Sequence, residues 1–187
     1  MLEIKGTTME IGKRTFVRIY GEETYRRVIS LLSPEEQAAF SGPIWASKWY
    51  PLDYYVHWTE VILREVFKND QEAQLRELVG PAIEDQFNIV YRAFLLLGPP
   101  ETILKQMARI TASYFRGVSV EVKTIGSGSA QLTFTGFRAR DRAIEISIRG
   151  WWEKVLEASR ARNVHFEVKT SIGEGKGYGE YVISWET

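Results

Sequence analysis

Apolar residues recur three and four positions apart through the first two thirds of this chain and at every second position through the last third. The pattern predicts helices followed by strands. A first helix is expected over 8–20, stopped at Gly21, and a second over 22–32. In "SPEE", Ser33 can cap the next helix, Pro34 suits its first turn, and Glu36 stands where the capping-box partner belongs. After "SGPIW" and the extended "WYP" turn, a longer helix is expected over 53–67. Another begins near Asn69 and should kink or stop at Gly80 and Pro81. The segment "AIEDQFNIVYRAFLLLG" is the most apolar, its last nine residues before the Gly being apolar on nearly every side apart from Arg92. It is read as the central helix of the fold, buried on several sides and closed by Gly98. "PPETILKQMARITASYFRG" gives a further helix, ended by Gly117.

From Val118 the period becomes two. Val118, Val120 and Val122 alternate with polar neighbours, as do Ala130, Leu132 and Phe134, with "GSGS" as the hairpin connection. A helix over 141–162 places Ile144, Ile148, Trp151, Trp152, Val155 and Leu156 on one face, and a second hairpin closes the sequence. In that hairpin Val164, Phe166 and Val168 form one side of the first strand, and Tyr181, Ile183 and Trp185 one side of the second. The expected fold is α+β: an N-terminal helical layer packed on one face of a four-stranded, largely antiparallel sheet. Residues 1–187 are read as a single domain, 1–117 mostly helical and 118–187 sheet-forming.

Composition narrows the chemistry. The 187 residues carry 24 basic and 24 acidic side chains, so net charge directs the protein neither to nucleic acid nor to an anionic membrane. Cysteine is absent, which removes disulfides, thiolate metal sites and thiol catalysis and fits a reducing cytoplasm. No signal segment and no run long enough to cross a membrane is legible, so a cytoplasmic protein without membrane insertion is expected.

His57 shares a helical stripe with Glu60, Arg64 and Lys68, which reads as a solvated face with a Glu60–Arg64 pair. The only other histidine, His165, falls on the polar side of a strand, and zinc would want three or four ligands. "GEGKGYGE" fits neither phosphate-binding glycine spacing and reads as a flexible hairpin connection. Arg138, Arg140, Arg142 and Arg149 read as an exposed, partly paired cluster. Asp85, Asn88 and Arg92, three and four apart, draw one polar line along the most apolar helix. Burying such a line unpaired would cost several kcal/mol, so it must pair internally, meet another subunit or face a pocket. Trp49 and Tyr50, with Trp45, precede a helix in a Pro-containing turn and are candidates for a cavity mouth or an interface. No nucleophile elbow, metal-ligand series or paired-carboxylate spacing is present, so no enzyme and no cofactor is expected.

With "SKWYP" after the early helices, "IRGWWEKVLEAS" between the hairpins and a last strand ending "YVISW", the chain resembles the superfamily of 4-vinyl-reductase domains. Haem nitric-oxide-binding domains and TRAPP transport subunits share that fold. Within it, the resemblance is strongest to a paralogous family of uncharacterised proteins known mainly from myxobacteria. The resemblance implies a small-molecule-binding or regulatory domain, often dimeric, with a cavity between helices and sheet. The haem-binding branch carries a proximal histidine and a Tyr-x-Ser-x-Arg stretch; the latter is missing here, so haem is not carried over.

The resulting expectation is a non-enzymatic sensor or regulatory domain that binds an apolar or amphipathic small molecule, with Trp49, Tyr50, Asp85, Asn88 and Arg92 as ligand contacts and no metal. The alternative is a ligand-free interaction or scaffolding module in signalling, meeting a protein partner. A homodimer is expected in either case, since zero net charge removes long-range self-repulsion.

Overall fold

The computed structural model describes residues 1–86 and 98–186, with the backbone alone for 83–86. A short strand β1 (Glu3–Lys5) leads into α1 (Gly6–Ile29), which is helical on both sides of Gly21 and broken there by a backbone of φ 83° and ψ 159°. α2 (Pro34–Ser41) starts with the full capping box: the Ser33 hydroxyl accepts from the Glu36 N–H, and the Glu36 carboxylate accepts from the Ser33 N–H at 2.8 Å. β2 (Trp49–Pro51) and α3 (Leu52–Glu65) follow. α4 (Gln71–Gln86), capped by the Asp70 carboxylate on the Ala73 N–H, continues through Gly80 and Pro81 rather than stopping there. Its packing on a later helix outweighs the hydrogen bond that proline removes.

After the prolines comes α5 (Pro100–Tyr114), then β3 (Phe115–Arg116). The expected central helix over "AIEDQFNIVYRAFLLLG" falls mostly outside the described residues. β1 is the middle strand of a small antiparallel sheet ordered β2-β1-β3. The larger sheet comprises β4 (Ser119–Gly126), β5 (Ser129–Thr135), β6 (Arg162–Thr170) and β7 (Tyr178–Glu186). It is antiparallel throughout and ordered β4-β5-β7-β6, so the two predicted hairpins join through β5 and β7. Between them runs α6 (Arg142–Ala158).

The period-two reading holds in the two central strands. Ala130, Leu132 and Phe134 of β5 and Tyr181, Ile183 and Trp185 of β7 are all buried on one face. At the edge, Val168 of β6 turns outward beside a register shift between Val168 and Thr170. α6 covers the apolar face, with the Trp152 ring edge-on to Phe134 at 5.9 Å. On its other side α6 meets α4. Arg149 pairs with Glu72 and Arg76 with Glu153, four residues further along each helix, so the two helices run parallel.

A second aromatic group joins the N-terminal helices. Trp58 of α3 stacks on Phe40 at 5.4 Å and meets Phe16 of α1 edge-on at 5.8 Å. The aromatic density around residues 47–67 is therefore largely core. Two acidic groups lie deep in the C-terminal half. Asp141 accepts from the backbone and guanidinium of Arg138, which also binds Asp53. Glu145 accepts from the Tyr181 hydroxyl at 2.8 Å and the Ser171 hydroxyl at 2.7 Å. Gly179 makes room for the Tyr181 hydroxyl, where a Cβ would collide with it. The glycine-rich connection, expected to be flexible, is pinned by this bond, by a capped turn at Ser171 and by buried Ile172.

Ser33→Ala is expected to lower unfolding free energy by about 1 kcal/mol, read from urea denaturation at unchanged slope. Tyr181→Phe leaves buried Glu145 with one donor fewer and is expected to cost about 1–3 kcal/mol in the same assay; equal stability would show that Glu145 takes its second bond elsewhere.

Candidate functional site: an apolar cavity among five helices

The described residues line a cavity of about 110 Å³ between α1, α3, α4, α5 and α6. Ile11, Val79, Ile144 and Ile148 supply aliphatic walls, and Phe115, Trp151 and Trp152 supply rings. No residue of the four-stranded sheet lines it among those described, so α6 stands between cavity and sheet where a cavity against the sheet was expected. Trp152 serves both sides, lining the cavity and packing on Phe134.

The polar members of the lining divide into two groups. Thr111 and Ser147 donate their hydroxyls to carbonyls four residues back in their own helices, Met107 and Ala143. Thr8 Oγ1 and Trp152 Nε1, by contrast, are buried without a hydrogen-bond partner. Among the described residues the Tyr55 hydroxyl has no partner either; it rests against Gly12 of α1, where a Cβ would come within 2.9 Å of it. Burial pushes the Tyr55 phenol up to about 12, so it remains a neutral O–H. An unpaired buried polar group costs on the order of 1–3 kcal/mol, and two residues around one cavity, Thr8 and Trp152, carry such groups. The described lining contains no charged side chain.

The sequence-predicted contacts are distributed differently. Trp49 and Tyr50 lie in β2, paired with Lys5 and Ile4, and neither lines the cavity. Trp49 is held between the Lys5 ammonium at 4.5 Å and the Arg116 guanidinium at 4.2 Å. The Tyr50 hydroxyl accepts from the Trp45 N–H at 3.0 Å. Asp85 lies in the last turn of α4 with its side chain outside the description, and Asn88 and Arg92 lie outside the described residues. The Tyr55, Thr8 and Trp152 groups were missed by sequence reasoning. Their one legible signal was Gly12, a glycine inside a helix, which marks a close approach by another group.

His57 does not pair with solvent alone. Its Nδ1 lies 2.8 Å from the Glu36 carboxylate that caps α2, which ties α3 to α2, and Arg64 pairs with Glu65 instead of Glu60. His165 is exposed on β6. Of the arginine cluster, Arg138 and Arg140 meet Asp53, and Arg149 meets Glu72, so it is partly paired as expected. Among the described residues no three His, Asp or Glu gather around one point, and no helix is long and apolar enough to cross a membrane.

No protein-family profile and no curated protein sequence matches the chain. Solved structures do. An oxygen-binding H-NOX domain related to soluble guanylate cyclases, in its oxygen complex, superposes with a TM-score of 0.71 at 13% identity, over 98% of this chain and 96% of that one. The Fe(II) unliganded H-NOX protein from K. algicida gives 0.70 at 14% identity, over 98% and 97%. The S. oneidensis H-NOX protein in its Fe(II)NO state gives 0.66 at 9% identity, over 98% and 100%. Superposed at TM-scores of 0.66–0.71 over 98% of its length, this chain has the α+β fold of the H-NOX domains.

Proposed function

We propose that the chain is a non-enzymatic sensor or regulatory domain that holds a neutral apolar or amphipathic small molecule in the cavity among its helices, without haem. The observation that carries this reading is an apolar cavity bordered by hydrogen-bonding groups that no protein atom satisfies. H-NOX structures of the same fold bind oxygen or NO at iron, and the donor set here does not suit that group. Haem iron is held by His, Cys, Met or Tyr. The chain has no Cys; His57 is engaged by Glu36, and neither it nor His165 lines the cavity. Of the two tyrosines in the described lining, Tyr55 stays a protonated phenol, a poor iron ligand, and Tyr114 is not without a partner. The cavity volume is also well under the roughly 300–1,000 Å³ of pockets that take larger ligands.

On sequence grounds Asp85, Asn88 and Arg92 are proposed to add polar contacts; Asp85 and Arg92 carry opposite charges, so the occupant they suit is still neutral overall. Haemin added to the purified protein and then desalted is expected to leave no Soret band; a stoichiometric band would overturn the haem-free reading. Native mass spectrometry of protein from its own host is expected to show one small retained molecule. A bare chain that also shows no melting shift with any small apolar compound would remove the ligand reading.

A second reading is favoured by the surface around the small sheet. Trp45 is 59% exposed with the Lys48 ammonium over its ring, and Trp49 in β2 carries Lys5 and Arg116. Here Trp49 and Tyr50 belong to an interface with a signalling partner or a second copy of the chain, with Trp as the anchoring residue. A homodimer through this face is expected to bury at least about 1,000 Å². Sedimentation equilibrium checks it: the dimer should dissociate in Trp45→Ala, and a wild-type monomer at tens of micromolar would count against it.

A further inference from the structure

The polar groups around the cavity narrow the chemistry of its occupant, on the premise that the small-molecule reading is right. We infer that the cavity takes a compact neutral carbonyl compound of about six non-hydrogen atoms, whose oxygen accepts a hydrogen bond from the Tyr55 hydroxyl.

Size comes first. An apolar protein cavity of about 150 Å³ holds benzene, and this one, at about 110 Å³, is of the same order. A five-membered ring or a short branched chain fills such a space; a fused ring system does not. Charge comes next. The described lining offers neither a cation nor a carboxylate, and the charges of Asp85 and Arg92 proposed above offset one another, so a neutral ligand suits the cavity better than an ionised one. Hydrogen bonding then sets the polarity. Thr8 Oγ1 and Trp152 Nε1 are buried without a partner, the Tyr55 hydroxyl makes no hydrogen bond among the described residues, and all three groups can donate. The indole can only donate. An acceptor oxygen satisfies whichever of them it reaches and brings no proton of its own to be paired. Thr111 and Ser147 already spend their protons on helix carbonyls, Tyr114 is not without a partner, and Thr8 Oγ1 and Trp152 Nε1 are fully covered, which leaves Tyr55 as the donor an occupant reaches first.

Tyr55 is held in place for this role. Its ring packs against Trp58 at 5.3 Å, and Gly12 leaves the space its hydroxyl occupies. Binding is reversible and non-covalent, since no lysine lines the cavity among the described residues to attack a carbonyl carbon.

Calorimetric titration with cyclopentanone and with methylenecyclopentane, the same ring with C=CH₂ in place of C=O, tests the inference in wild type and Tyr55→Phe. Loss of one hydrogen bond should weaken cyclopentanone about five- to tenfold in Tyr55→Phe and leave the hydrocarbon within about twofold. An equal change for both compounds, or none for the ketone, overturns the carbonyl assignment while leaving the cavity as an apolar ligand site. If neither compound binds wild type, the carbonyl inference is overturned, while the small-molecule reading stands or falls on the native mass spectrometry and melting tests above. Should Tyr55→Phe not fold, the carbonyl-¹³C resonance of labelled cyclopentanone bound to wild type decides. A downfield displacement from its position in hydrocarbon solvent supports the bond, and the hydrocarbon position overturns it.

Discussion

The fold depends on burying one helix on two sides. α6 presents Trp152 to the sheet and Ile144, Ile148 and Trp151 to the cavity, so neither the sheet nor the helical layer closes its core without it. Arg142, Lys154 and Glu157 of α6 reach solvent, and the polar residues on its covered sides must find partners inside. Glu145 does so through Tyr181 and Ser171, Glu153 through Arg76, and Arg149 through Glu72. These contacts fix which way α6 is rotated. That rotation decides which of its apolar residues border the cavity.

The same constraint explains the parallel pairing of α4 with α6. Two ion pairs spaced four residues apart on both helices act as a register, and the helices run close enough at Gly150 that an added Cβ would lie 3.5 Å from the α4 backbone at Arg76. Val79 and Ala82 of α4 are thereby set along the cavity wall. Partly exposed ion pairs contribute little to stability. Their larger effect here is orientation, since a slip of one turn would leave Glu153, which is nearly buried, without its arginine.

The N-terminal half is held differently, by aromatic packing around Trp58 and by Glu36, whose carboxylate serves both the α2 cap and His57. One carboxylate thus couples the start of α2 to the middle of α3. The small sheet carries Trp49 between two cations at the surface, away from the cavity. The two features that the aromatic-rich stretch suggested, core and surface, are both present, in different residues of the same stretch.

The sequence by itself determined the local elements, because their causes are local. The Ser33–Glu36 box, the break at Gly21, and the change of period at Val118 each act within a few residues, and the structure has all three. The alternation in β5 and β7 likewise fixed which side chains are buried. It failed where a distant group takes over a residue's bond. His57 lost its expected stripe to Glu36, twenty-one positions away, and α4 passed Pro81 because packing on α6 outweighed propensity. The cavity was illegible for the same reason. Its walls come from five helices separated by long stretches of chain, and only their crossing angles decide that Thr8, Tyr55 and Trp152 meet around one space. A polar atom left without a partner is a property of three-dimensional neighbourhood, and no periodicity along the chain records it.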